Sequence, residues 1–161
     1  MTTKTKQLIG LLISHNKILV RSKRYNEKIS QWGKGNITQG AILHADYVIF
    51  DPLPDDAFGA MVHLQIANEF ALDDRCARCI VAPFHIRDRE NVELASATEK
   101  FKIELDFENR LYSLYYEICE GDEVFYKFTF VPSEELISAR YIRDDPWGGE
   151  KDKKLSLGKV D

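Results

Sequence analysis

Cysteine is scarce: Cys76, Cys79 and Cys119 are the three in 161 residues. So small and odd a count does not build the disulfide framework of a secreted mini-domain, and it points to a reducing cytoplasm. Long apolar runs are also missing. Residues 8–13 follow Lys4 and Lys6 but extend the apolar character over only six positions, too few for a signal-peptide core or for the ~20 residues of a membrane span. Nucleotide and metal signatures are absent as well. Gly33-Lys34-Gly35 lacks the spacing of a phosphate loop and reads as a loop tip, and no acidic cluster has the spacing of a calcium loop. A zinc site needs about four ligands, whereas Cys76-x-x-Cys79 stands alone with Cys119 far away in the chain. Redox use requires the first cysteine at a helix N-terminus, yet Cys79 opens the apolar run Ile80-Val81-Ala82. Cys76 is therefore expected in the loop after Asp73-Asp74 and Cys79 at the start of a strand. On a strand, residues three apart face opposite sides, so neither is expected to bind metal. The histidines His15, His44, His63 and His85 form no metalloprotease pair or triad. No cofactor and no enzymatic activity are expected.

What is present is period-two alternation, the mark of strands with one buried face. In residues 101–107, Phe101, Ile103, Leu105 and Phe107 alternate with Lys102, Glu104 and Asp106, and a turn at Glu108-Asn109 is expected to pair this strand with residues 110–118 as a hairpin. Ala60, Val62, Leu64 and Ile66 form another apolar face, as do Val124, Tyr126, Phe128 and Phe130 after the Glu120-Gly121-Asp122 connection. A short helix is expected at 133–139 with Ser133 as its N-cap. The pattern predicts an all-β fold, a two-sheet antiparallel β-sandwich of about seven to nine strands. It forms a single domain over 1–147, and residues 148–161 read as a loosely attached polar tail.

Charge is unevenly distributed. Residues 1–28 carry seven Lys/Arg against Glu27, whereas residues 29–147 carry 11 Lys/Arg against 22 Asp/Glu, a net −11 inside a chain of net −4. An acidic body disfavours direct binding of nucleic acid and steers association toward a basic partner. The acidic clusters Asp51/Asp55/Asp56, Asp73/Asp74 and Glu120/Asp122/Glu123 are candidate contacts at strand ends, with Phe58, Tyr116 and Trp147 as aromatic anchors. A second reading, a binding module for a small ligand or carbohydrate, rests on Tyr112, Tyr115, Tyr116, Phe125 and Tyr126 as an exposed aromatic face.

The stretch from Cys79 to Ile118, with Ala82-Pro-Phe-His-Ile86 at its head and Asn109-Arg-Leu-Tyr-Ser-Leu-Tyr-Tyr-Glu-Ile118 at its end, resembles the competence protein J family. Residues 12–20 and 39–52 fall in the same order as that family's first two strands, so the similarity spans roughly residues 8–132. It implies a small cytoplasmic protein that binds a basic DNA nuclease, either a DNA-entry nuclease or a nuclease toxin, and blocks it. The Cys-x-x-Cys pair, the basic N-terminal arm and the glycine-bearing tail do not belong to the family pattern.

Overall fold

The computed structural model describes residues 4–13, 17–53 and 59–161. Among these, eleven strands follow in chain order: β1 (Lys6–Leu12), β2 (Ile18–Arg21), β3 (Ala41–His44), β4 (Tyr47–Phe50), β5 (Gly59–Ile66), β6 (Cys76–His85), β7 (Glu93–Ala95), β8 (Lys100–Lys102), β9 (Leu111–Glu120), β10 (Val124–Pro132) and β11 (Arg140–Tyr141). One helix, α1 (Lys34–Gln39), precedes β3. A six-stranded sheet has the order β1-β5-β10-β9-β6-β11 and a five-stranded sheet the order β3-β4-β2-β7-β8. Every pairing is antiparallel except β5 with β10, which run parallel. The all-β sandwich expected from the alternation is therefore present, with more and shorter strands than the seven to nine anticipated.

Both sheets turn an apolar face inward, and those faces make the core. Val62 and Leu64 on β5, Ile80, Ala82 and Phe84 on β6, Leu114, Tyr116 and Ile118 on β9, and Tyr126, Phe128 and Phe130 on β10 meet Ile18, Val20, Leu43, Val48, Phe50 and Leu94 from the smaller sheet. Phe50 stacks on Tyr116 with ring centroids 4.3 Å apart, joining the layers at their centre. A second apolar cluster, Leu19, Ile42, Tyr47, Ile49 and Ala95, lies on the other face of the smaller sheet, where Ile29 and Trp32 pack against it.

Two of the expected elements differ. Residues 101–107 alternate in burial as anticipated from Ile103 onward, but only Lys100–Lys102 form a strand, and it pairs with β7 rather than β9. Beyond it the backbone bonds are scattered: Ile103 N–H to the Val92 carbonyl (2.8 Å) and Asp106 N–H to the Lys4 carbonyl (2.9 Å). The segment thus crosses between the sheets. Alternation reports which side chains are buried and is silent on which strand the backbone joins. No helix forms at 133–139. Ser133 still donates its backbone N–H to Leu111 at 3.1 Å, prolonging the β9–β10 ladder, and Leu136 stays 75% exposed, so a helix there would have no apolar face to bury.

The residues read as a loop tip at 33–35 instead begin α1. The helix ends at Gly40, whose φ of 84° is left-handed and whose N–H bonds the Asn36 carbonyl at 2.8 Å. Asn36 also overturns the idea of a loose tail. Its buried amide accepts from the N–H of Gly33 (3.0 Å) and of Val160 (2.8 Å) and donates to the carbonyls of Ala41 (3.2 Å) and Gly158 (2.9 Å). Val160 lies so close to Gly35 that a β-carbon there would overlap its side chain. Leu155 enters the core, and Lys154 bridges to Arg140. The tail is polar in composition, but backbone bonds and the amides of Asn36 and Gln39 hold it down, a mode of attachment that hydropathy does not register.

Candidate functional site

The strand registers gather the acidic loops at one end of the six-stranded sheet. β9 and β10 form a hairpin in which Glu120 faces Val124, so Gly121, Asp122 and Glu123 make its turn. Cys76 on β6 faces Cys119 on β9, which sets the 73–75 turn beside that hairpin, and the Glu120 N–H bonds the Arg75 carbonyl at 2.9 Å. The parallel register of β5 on β10 brings Gly59 to the same end. Asp55, Asp56 and Phe58, the candidates just before Gly59, lie outside the described residues. Asp51 sits half-buried near this end: its carbonyl accepts from the Tyr116 hydroxyl at 3.1 Å, while the Tyr126 hydroxyl bonds the Pro52 carbonyl at 2.9 Å.

The acidic residues differ in what holds them. Asp73 is occupied internally. Its carboxylate accepts from the Arg75 side chain at 3.1 Å and from Lys127 at 3.2 Å, and the Arg75 guanidinium foremost holds its pKa well below the usual carboxylate range. Asp74, Glu120, Asp122 and Glu123 are exposed, and none has an ion-pair partner among the described residues.

Trp147 is held in place beside this end by a buried ion pair. Arg78, facing Ile118 across the ladder, points into the core and donates to both Asp145 oxygens, at 2.8 and 3.1 Å. Asp145 in turn accepts from the N–H groups of Trp147 and Gly149, each at 2.9 Å. Burial pushes the Asp145 pKa up, but the Arg78 bonds and these N–H groups outweigh it and leave the pKa lowered. The guanidinium lies 5.3 Å from the Tyr141 ring and 5.7 Å from that of Trp147. It also approaches Gly40 so closely that a β-carbon there would overlap Nη1. Tyr116, also considered as an anchor, is fully buried in the core.

On the outer face of the same sheet, residues 67–75 cross from the end of β5 back to the start of β6. Phe70 stacks on Tyr115 at 3.9 Å, and the Asp73 N–H bonds Glu117 Oε2 at 2.9 Å. Beneath this strap Cys76, Cys79 and Cys119 form one buried cluster. Two expectations are corrected here. Cys76 belongs to β6 rather than to the preceding loop, and Cys76 and Cys79 do not face opposite sides. A bulge between Cys76 and Arg78 inserts one residue, so Cys76 faces Cys119 while Cys79 faces Glu117, two positions along β9 and hence on the same side. Sequence spacing carries no mark of a bulge, and Cys119 joins the pair only through β9.

The aromatic face invoked for a small ligand does not exist as such. Tyr112, Tyr116 and Tyr126 are in the core, while Tyr115 and Phe125 are half-covered by the strap. A cleft of about 440 Å³ does open on the outer face of the smaller sheet, but Tyr25 is its one aromatic residue, among Lys17, Arg21 and Lys100.

The family model for Competence protein J (ComJ) matches residues 10–131. The chain belongs to the ComJ family. A solved structure with the same fold is that of ComJ from Bacillus subtilis, described as the inhibitor of the DNA-degrading activity of NucA. It matches at a TM-score of 0.67 and 15% identity, covering 83% of this chain and all of the relative. No curated protein matches the sequence. The ComJ match takes in both acidic turns and the cysteine cluster, whereas Asp145, Trp147 and the tail lie beyond it.

Proposed function

We propose that this ComJ-family chain binds a DNA-degrading nuclease and neutralises it, docking the acidic end of its six-stranded sheet against the basic cleft in which the nuclease grips DNA. The observation that carries this reading is the set Asp74, Glu120, Asp122 and Glu123, exposed on adjacent turns with no ion pair among the described residues. Unpaired carboxylates on one edge project a field that steers a basic partner, and they compete for the sites that phosphates occupy. The family and the solved relative's described role supply the partner class. Trp147, half-exposed and pre-positioned by Arg78, provides an aromatic anchor next to these charges. The protein acts by occlusion and not as an enzyme. Three unpaired, buried thiols fit a reducing cytoplasm, and among the described residues no helix is long and apolar enough to cross a membrane.

The direct test mixes the purified chain with a NucA-type nuclease and follows degradation of linear DNA. Stoichiometric protection with a stable complex is expected. Undiminished degradation, with no complex detected by size-exclusion chromatography, would contradict the proposal. The small-ligand reading has lost its aromatic face, three rings of it to the core and two to partial cover by the 67–75 strap, and is not retained.

A further inference from the structure

Glu117 is the most anomalous polar group on the described residues. It lies on β9, facing Lys127 on one side and Cys79 on the other, and is fully buried under the 67–75 strap. Oε2 accepts from the Asp73 N–H, but Oε1 is buried with no hydrogen-bond partner. Burying a carboxylate oxygen without a donor is costly, so such a group calls for a cation or a proton. Its immediate neighbours are thiols: the Cys76 and Cys119 sulfurs and a Glu117 carboxylate oxygen lie within 4.8 Å of one another. Cys79 packs in the same cluster, and the Cys76 thiol donates to the Arg78 carbonyl at 2.8 Å.

We propose that this cluster is a zinc site in which the Cys76 and Cys119 thiolates and the Glu117 carboxylate bind one Zn²⁺. Thiolate donors favour zinc over harder divalent ions. The three ligand atoms lie within 4.8 Å of one another, so they would close by under about 1 Å to reach the ~4 Å separations around a tetrahedral zinc. The bulge before Arg78 has a role in this arrangement: without the inserted residue Cys76 and Cys79 would fall on opposite faces. Zinc would displace the thiol protons and give the orphaned carboxylate a counter-charge. Arg75, Lys127 and Arg143, the last bonded to the Cys76 carbonyl at 2.5 Å, offset the negative charge left on the ligands. The ion would staple β6 to β9 directly below the two acidic turns. The inference stands independently of nuclease binding.

The test uses the full chain, reduced and stripped with a chelator, titrated with Zn²⁺ against a chromophoric competitor and separately with Co²⁺. One equivalent of zinc should bind with release of protons, and Co²⁺ should give the ultraviolet thiolate-to-cobalt charge-transfer band of a tetrahedral thiolate site. Cys76→Ser and Cys119→Ser should each lose ~100-fold or more in Zn²⁺ affinity, and Glu117→Gln ~10-fold or more. The cobalt spectrum needs no variant, so misfolding cannot disguise a negative answer. Absence of saturable binding and of the charge-transfer band in the wild type would overturn the proposal. So would stoichiometric binding that Cys76→Ser and Cys119→Ser leave unchanged.

Discussion

The two ends of the six-stranded sheet hold their acidic residues differently, one with several ion pairs and the other with few. Around the end where β6 and β10 finish, Arg110 is shared by Glu108 at 3.4 Å and Glu134 at 2.8 Å, Lys4 reaches Glu104, and Lys102 reaches Glu90. At the end where those strands begin, Asp73 alone has cations in contact, while Asp74, Glu120, Asp122 and Glu123 have none among the described residues. Exposed pairs of the first kind contribute ~0–1 kcal/mol each and cancel their own far field. Unpaired like charges on adjacent turns repel, which is a small cost in stability, and their field extends about a Debye length, ~10 Å at 0.1 M salt. Under the proposed function, the end with no ion pair outside Asp73 is the one that would face a basic surface, although Asp88, Asp106 and Glu135 at the other end also lack an ion pair among the described residues.

The comparison can be broken most severely from beneath. Asp145→Asn leaves the Arg78 guanidinium buried without its counter-charge, and we expect a loss of ~3–5 kcal/mol in denaturant unfolding, with Trp147 released from its position. The same pair sets a pH dependence. Because the folded Asp145 pKa lies below the unfolded one, its stabilisation is complete above the ordinary aspartate pKa of ~4 and is lost as pH falls through the folded value. The acid limb of the wild-type stability profile should therefore flatten in Asp145→Asn.

Reversing the exposed turn, with Glu120→Lys, Asp122→Lys and Glu123→Lys together, should slow association with the nuclease ~10- to 100-fold at low salt while unfolding stays within ~0.5 kcal/mol of wild type. Stopped-flow mixing measures the first and urea unfolding the second. Asp73→Asn separates structure from docking within the same end. It weakens the contacts to Arg75 and Lys127, so a loss of ~1–2 kcal/mol in stability is expected with little change in association rate beyond one charge. Glu134→Lys, at the paired end, should shift stability by under ~0.5 kcal/mol and leave association unchanged. An equal slowing from this variant would mean that net charge matters and its placement does not.

Much of this was legible in the sequence. The alternation in Val62/Leu64 and in Tyr126/Phe128/Phe130 identified core faces correctly, because a strand buried on one side must repeat every second residue. The acidic turns at 73–74 and 120–123 could be recognised as loops by composition, but their convergence on one end depends on the register of Cys76 with Cys119, a non-local pairing no local pattern encodes. Asp73 looked equivalent to Asp74, and only the positions of Arg75 and Lys127 distinguish them. The functional weight of Glu117 was invisible for a related reason. A glutamate in an alternating strand reads as solvent-facing, and the strap that buries it comes from residues 67–75.

The central claim is that the unpaired end of the sheet is the docking surface for a nuclease. It is tested most directly by measuring association rates with a NucA-type nuclease over a range of ionic strength for wild type, for the Glu120/Asp122/Glu123 triple reversal and for Glu134→Lys. The account predicts a steep fall in rate with salt for wild type and Glu134→Lys, and a slow, nearly salt-independent rate for the triple variant. Three superimposable salt profiles would contradict it.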